Sequence, residues 1–174
     1  GNYFYLDILS EGVRLYDSKR GELVSPKLMD SERRKELAET DFEFWMEKAT
    51  SFLKDYAHNI EDKALSNAAF HLSQSVEALY FAILLVYTGY KPKTHKLDKI
   101  EGHIKEILPD FKVFLPKKTE EDTRLFDLLN RAYIDARYKQ DYSVEKKDLE
   151  KIYKFAQDLI EEVSKVCKDK INSF

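Results

Sequence analysis

From Ser31 onward, apolar side chains return every three to four positions, a period that predicts a run of helices. Leu37, Phe42, Trp45, Ala49, Phe52 and Leu53 mark the first, with Ser31 as its N-cap and an end near His58. A second begins near Glu61 and passes through Phe70, Leu72, Val76, Leu79, Ile83 and Val86 to Gly89, a plausible C-cap followed by Pro92. Its apolar residues wrap most of the circumference, which predicts a central helix covered by neighbours or by a second subunit. Thr94-His95-Lys96-Leu97 opens a shorter third helix that Pro109 ends. After Pro116, Thr119-Glu120-Glu121-Asp122 reads as a capped start to a fourth helix, which continues through Phe126, Leu129, Ala132 and Tyr133 to about Tyr138. The fifth runs from roughly Val144 through Leu149, Ile152, Phe155, Leu159, Val163 and Val166. About five helices with short links predict an all-α fold, an antiparallel up-and-down bundle.

The first thirty residues follow another pattern. Tyr3-Phe4-Tyr5-Leu6-Asp7-Ile8-Leu9 and Val13-Arg14-Leu15-Tyr16 are β-prone stretches separated by Ser10-Glu11-Gly12, so a hairpin is expected. Asp17-Ser18-Lys19-Arg20-Gly21 makes a turn, Glu22-Leu23-Val24 offers a short third strand, and Pro26 closes the segment. Two or three isolated strands bury a face poorly. Residues 1–29 are therefore read as a β-hairpin remnant of a larger upstream sheet, and residues 30–174 as the helical domain.

Composition agrees with that division. The chain has 174 residues, 35% of them charged and 43% apolar, with only five Gly and four Pro, which favours long helices in one ordinary domain. Its net charge of -3 provides no global positive field. Nucleic-acid binding would have to rest on a local patch, and a DNA sequence reader is not expected. Cys167 stands alone and no stretch resembles a signal peptide, so the chain reads as cytoplasmic. The longest apolar run, residues 78–86, spans about half a bilayer and follows Glu77, so it is read as a buried helix rather than a membrane segment.

Two stretches carry a family resemblance. Ala69-Phe70-His71-Leu72-Ser73-Gln74-Ser75-Val76-Glu77-Ala78-Leu79, with Gly89-Tyr90-Lys91-Pro92-Lys93-Thr94-His95-Lys96-Leu97 after it, resembles the central helix and following loop of HEPN domains. Leu128-Leu129-Asn130-Arg131-Ala132-Tyr133-Ile134-Asp135-Ala136-Arg137-Tyr138 resembles the second signature region of that family, and the likeness spans about residues 40 to 165. At the front, Tyr3-Phe4-Tyr5-Leu6-Asp7-Ile8 with Glu11-Gly12-Val13-Arg14-Leu15-Tyr16-Asp17 resembles the junction of bacterial proteins that fuse a nucleotidyltransferase domain to a HEPN domain. The leading Gly1, with no initiator Met, fits a fragment of such a protein. The resemblance implies a homodimer that binds a nucleotide, RNA or a small-molecule acceptor. Gly-Ser and a downstream Asp-x-Asp are absent from the sequence, so magnesium and a nucleoside triphosphate are expected only if an upstream transferase domain exists.

HEPN ribonucleases carry Arg and then His four to six residues later, and the resemblance implies that Arg binds the scissile phosphate while His transfers the proton without metal. The window after Arg137 here reads Tyr138, Lys139, Gln140, Asp141, Tyr142, Ser143, Val144, with no His. Tyr142 is a poor base near neutral pH, because an ordinary tyrosine titrates near 10. Arg137, Tyr138 and Tyr142, with His71 and Gln74 of the central helix, are the substrate-binding candidates. Arg137 and Tyr142 are also weak catalytic candidates, as is Glu43, which lies in the column Glu39, Glu43 and Glu47. Some aminoglycoside nucleotidyltransferases take a carboxylate from their helical domain, although an acidic column is also what a solvated face looks like. Arg137 reads alternatively as a helix-end cation paired with a nearby carboxylate. His58, His71, His95 and His103 lack zinc-site spacing, so no metal is expected, and structural hydrogen bonding is the reading for His71 and His95. The sequence thus favours a HEPN domain acting in dimerisation and nucleotide or acceptor binding beside a transferase. A metal-independent, toxin-like ribonuclease and a helical protein-interaction module are the alternatives.

Overall fold

The computed structural model describes residues 8, 12–18, 30–115 and 117–174. Five helices make up the bundle: α1 (Ser31–Glu61), α2 (Leu65–Thr88), α3 (Leu97–Ile107), α4 (Glu120–Tyr138) and α5 (Lys146–Asn172). No strand occurs among the described residues. The expected hairpin falls largely outside them, as do its turn from Lys19 and the third strand at residues 22–24. Of its second arm, Val13, Leu15 and Tyr16 are exposed and have no strand pairing.

α1 is capped one residue before the expected position. The Asp30 side chain, on an extended backbone, accepts the Arg33 N–H at 2.8 Å, so Asp30 rather than Ser31 is the N-cap. Either residue type can play the part, but aspartate adds a negative charge at the positive end of the helix. The helix also outlasts its expected end at His58. It closes where Ala64 N–H donates to Asn59 O at 2.8 Å and Lys63 N–H to Ile60 O at 3.2 Å, with Lys63 in the left-handed region at φ 58°. That pair of bonds satisfies the terminal carbonyls, a job usually given to glycine. Without Gly or Pro at this turn, the pattern had no mark to place the break. α2 consequently starts at Leu65, later than Glu61. Its far end matches expectation: Gly89, at φ 64°, donates its N–H to Leu85 O at 2.8 Å.

α2 is the axis of the fold and packs against each of the other four helices. Leu72, Val76, Leu79, Phe81, Ile83 and Val86 are buried on successive faces of it. By length and composition it could cross a membrane, and 78% of its most apolar window is enclosed by the rest of the bundle. Polar groups on this buried helix are tied to its neighbours. Ser75 Oγ donates to Ala49 O of α1 at 2.9 Å. Tyr80 Oη donates to Glu101 of α3 at 3.2 Å and accepts Phe114 N–H at 3.3 Å, fixing the segment that leads to α4. Burial, with the Glu101 charge beside it, drives the Tyr80 hydroxyl well above the ordinary tyrosine range, so it stays a neutral donor.

The shorter helices are held by side chains from elsewhere. Lys96, the N-cap of α3, provides no side-chain cap; instead Asn130 Oδ1 of α4 accepts the Leu97 N–H at 2.8 Å while its amide donates to Asp98 at 3.1 Å. Thr119 and Asp122 form the expected reciprocal cap on α4, at 3.0 and 3.3 Å. Arg124 then clamps α4 to α5, placing both terminal nitrogens 2.8 Å from the buried Asp148 carboxylate and meeting Glu121 on its own helix. That contact holds the Asp148 carboxyl below its ordinary 3.8.

Two stability measurements check this description. Lys63→Gly removes the steric cost of a left-handed lysine and is expected to raise the urea-unfolding free energy by roughly 0.5–1 kcal/mol. Leu129→Ala, at a fully buried position of α4, is expected to lower it by about 2–5 kcal/mol. A neutral Leu129→Ala would contradict the packing of α4 onto α2.

Candidate functional site

Phe70, Gln74 and Glu77 follow one another along α2 at spacings of four and three, and Asn130, Tyr133 and Arg137 do the same on α4 at three and four. Such spacings put each trio on one helical face. Phe70 and Tyr133 meet with ring centroids 6.3 Å apart, so the two faces adjoin. The loop between α2 and α3 brings a third component, because Asn130 fixes Leu97 and thereby the chain just after His95.

His95 lies flat on Tyr133, with centroids 4.2 Å apart and planes within 12°. Its Nδ1 faces both carboxylate oxygens of Glu77, at 3.0 and 3.2 Å. Glu77 is only 7% exposed and His95 48% exposed, so the carboxylate forms the floor and the imidazole the surface of the pair. Burial pushes the Glu77 carboxyl above its ordinary 4.5, while the charge and hydrogen bond of His95, and then the charge of Lys91, pull the other way. Lys91 itself lies over the Phe81 ring, 4.4 Å from its centroid.

Arg137 is exposed and lies against aromatic surface, its guanidinium carbon 4.4 Å from the Tyr133 centroid, 5.0 Å from Phe70 and 5.1 Å from Tyr138. Its Nε donates to Tyr133 O at 2.8 Å. The terminal nitrogens have no ion pair or hydrogen bond among the described residues. Asp135, the carboxylate nearest in sequence, is buried and paired with Lys139 at 3.1 Å. The carboxylate pairing of the alternative reading of Arg137 therefore does not form among the described residues. Tyr138 is 74% exposed beside it.

The remaining candidates lie at varying distances from this group. His71 contacts Phe70 and Phe52 edge-on and turns Nδ1 toward Asp55 at 3.4 Å, without a hydrogen bond. Gln74 is partly buried one turn ahead of Glu77 on α2, and its side chain lies close enough to that carboxylate to help hold its proton affinity down. Tyr142 shares no hydrogen bond or ring contact with Arg137. It packs against the hydrophobic core with its hydroxyl 3.5 Å from Leu128 O, and burial pushes that hydroxyl up to about 12. Glu43 is exposed on α1, as are Glu39 and Glu47. Among the described residues, no cluster of three His, Cys, Asp or Glu side chains is arranged to hold a metal ion. Cys167 is buried, and that burial raises its thiol to about 12, which keeps it protonated and unreactive.

Sequence reasoning missed the Glu77–His95 pair. The available signal was the lone carboxylate at the head of the longest apolar run, since a charge on a helix buried all round requires a partner.

The HEPN domain family model matches residues 42–166, which takes in α2, α3, α4 and every member of the Arg137 group. The chain belongs to the HEPN family. No curated protein matches it. Its departure from the ribonuclease pattern of that family is therefore specific: Arg137 is present, the His is missing from the following window, and an imidazole reaches the same aromatic ring from the loop before α3.

The Glu77 environment generates a pH prediction. A carboxyl whose folded pKa is raised contributes stability that is fully present below its unfolded value and is lost as pH rises through the folded value. Wild-type stability is expected to carry this decline as pH rises above the ordinary carboxyl value of 4.5, and Glu77→Gln to lack it. Urea unfolding of both proteins across that rise checks the point, and parallel profiles would count against a strained Glu77.

Proposed function

We propose that this HEPN bundle binds a nucleotide through Arg137, with its phosphate on the guanidinium and its base against Tyr138. The observation that carries the reading is an arginine ordered by its own Nε bond and three aromatic rings, yet without a carboxylate. Ordering a guanidinium before a ligand arrives reduces the entropy lost on binding, and its planar fork suits a phosphate's oxygens. An exposed tyrosine next to it supplies the stacking surface that bases use without regard to sequence.

In the proposed setting the bundle is the helical part of a homodimeric cytoplasmic nucleotidyltransferase. Magnesium and the nucleoside triphosphate would belong to a separate catalytic domain bearing Gly-Ser and Asp-x-Asp, while this bundle assists dimerisation and holds nucleotide or acceptor. RNA and small-molecule acceptors fall within the same reading where they present a phosphate. Tyr142, tied to Leu128 O and kept neutral by burial, supports Arg137 through the fold rather than by touching ligand.

Titration of AMP into the purified chain, followed by calorimetry, tests the proposal. Saturable binding is expected, with Arg137→Ala about tenfold to a hundredfold weaker, the range for losing a charged hydrogen-bond pair. Equal binding by Arg137→Ala at unchanged melting temperature would remove the arginine from the site.

A further inference from the structure

The group around Tyr133 contains a second nitrogen-bearing group, the ring of His95, which phosphate binding by Arg137 alone leaves unused. Building on the nucleotide reading of Arg137, we infer that the site recognises a terminal phosphate monoester, as in a nucleoside monophosphate or a 5′-phosphorylated strand, in preference to the diester inside a nucleic-acid chain. His95 and Arg137 contact the same ring, 4.2 and 4.4 Å from its centroid, and each has its outward nitrogens unoccupied among the described residues.

The bonding of each group determines what it can still offer. Arg137 spends Nε on Tyr133 O, leaving its two terminal nitrogens. His95 spends Nδ1 on Glu77, leaving Nε2 on the opposite edge of a half-exposed ring. In the ion-paired form that Nε2 carries a proton and is a charged donor. A phosphate monoester has three acceptor oxygens and, near neutral pH, a charge between -1.5 and -2 in round terms, about what two cationic donors can match. A diester has two free oxygens and a single charge, so it leaves one of the donors without a full partner. The Glu77 carboxylate sits at Nδ1, on the side of the ring away from Nε2. Lys91 adds positive charge close enough to influence Glu77.

The experiment compares AMP with the dinucleoside monophosphate ApA, which presents the same base on a diester, using wild type, His95→Gln and Arg137→Gln. Glutamine at 95 retains a hydrogen-bond donor for Glu77 but carries no charge, and melting temperatures verify that each variant is folded. Wild type is expected to bind AMP about tenfold or more tightly than ApA, one cationic contact's worth of affinity. His95→Gln should abolish that preference by weakening AMP alone, whereas Arg137→Gln should weaken both ligands. Equal wild-type affinities, or a preference that survives in His95→Gln, would overturn the monoester assignment and leave nucleotide binding by Arg137 intact. If neither ligand binds, the nucleotide reading itself fails and the inference falls with it. Cleavage of ApA that is lost in His95→Gln would also overturn the assignment, because His95 would then be moving a proton in a diester reaction rather than holding a monoester.

Discussion

Everything in this bundle depends on covering α2 on all sides. A helix of 24 residues with apolar side chains around its circumference has no face to give to water, so four other helices must surround it. The same enclosure places strict terms on its polar residues. Ser75 meets them with a hydrogen bond to α1, and Tyr80 with one to α3 and one from Phe114 N–H, each a modest contribution whose absence would cost more than its presence gains. Glu77 is the demanding case, since a buried carboxylate needs a charged or strongly donating partner. Its solution draws the loop before α3 onto the α2–α4 seam through His95, and His95 in turn lies on Tyr133. The geometry around Arg137 is thus partly a consequence of how one carboxylate on the central helix is neutralised.

The helices were legible because periodicity records which side chains must face inward, and that is what the five helices satisfy. The fourth was the clearest, with Thr119 and Asp122 as its reciprocal cap and Tyr138 as its last residue. Boundaries failed where local chemistry was ambiguous. Asp30 and Ser31 are both capable caps, and Lys63 adopts a left-handed conformation for which the sequence has no glycine marker. α5 starts at Lys146, two residues beyond Val144, because apolar spacing alone does not distinguish a helical residue from one packing just ahead of it. The family resemblance, read across about residues 40 to 165, coincides closely with the match at 42–166. Arg137 and Tyr138 were recognisable from that resemblance and do adjoin. His95 was read as a structural hydrogen-bonding residue, but its partner was not legible, because the contact with Glu77 joins residues 18 apart across a helix end and a loop, where no repeat spacing applies.

Arg124 and Arg137 show why the second arginine invites a ligand. Both lie on α4, in the same bundle, so differences between them come from placement rather than residue type. Arg124 has its fork filled by Asp148 and its Nε by Glu121, and the result is a brace between two helices. Arg137 has Asp135 two residues before it, but two residues turn an α-helix by roughly 200°, which places that carboxylate on the far face. There Lys139, one turn beyond Asp135, takes it up. What remains for Arg137 is aromatic surface, which orients a guanidinium and attracts it weakly without neutralising its charge. An arginine held in that state retains most of its capacity to bind an anion. The sequence window after Arg137 has no histidine, and the imidazole that reaches the same Tyr133 ring comes instead from the loop before α3.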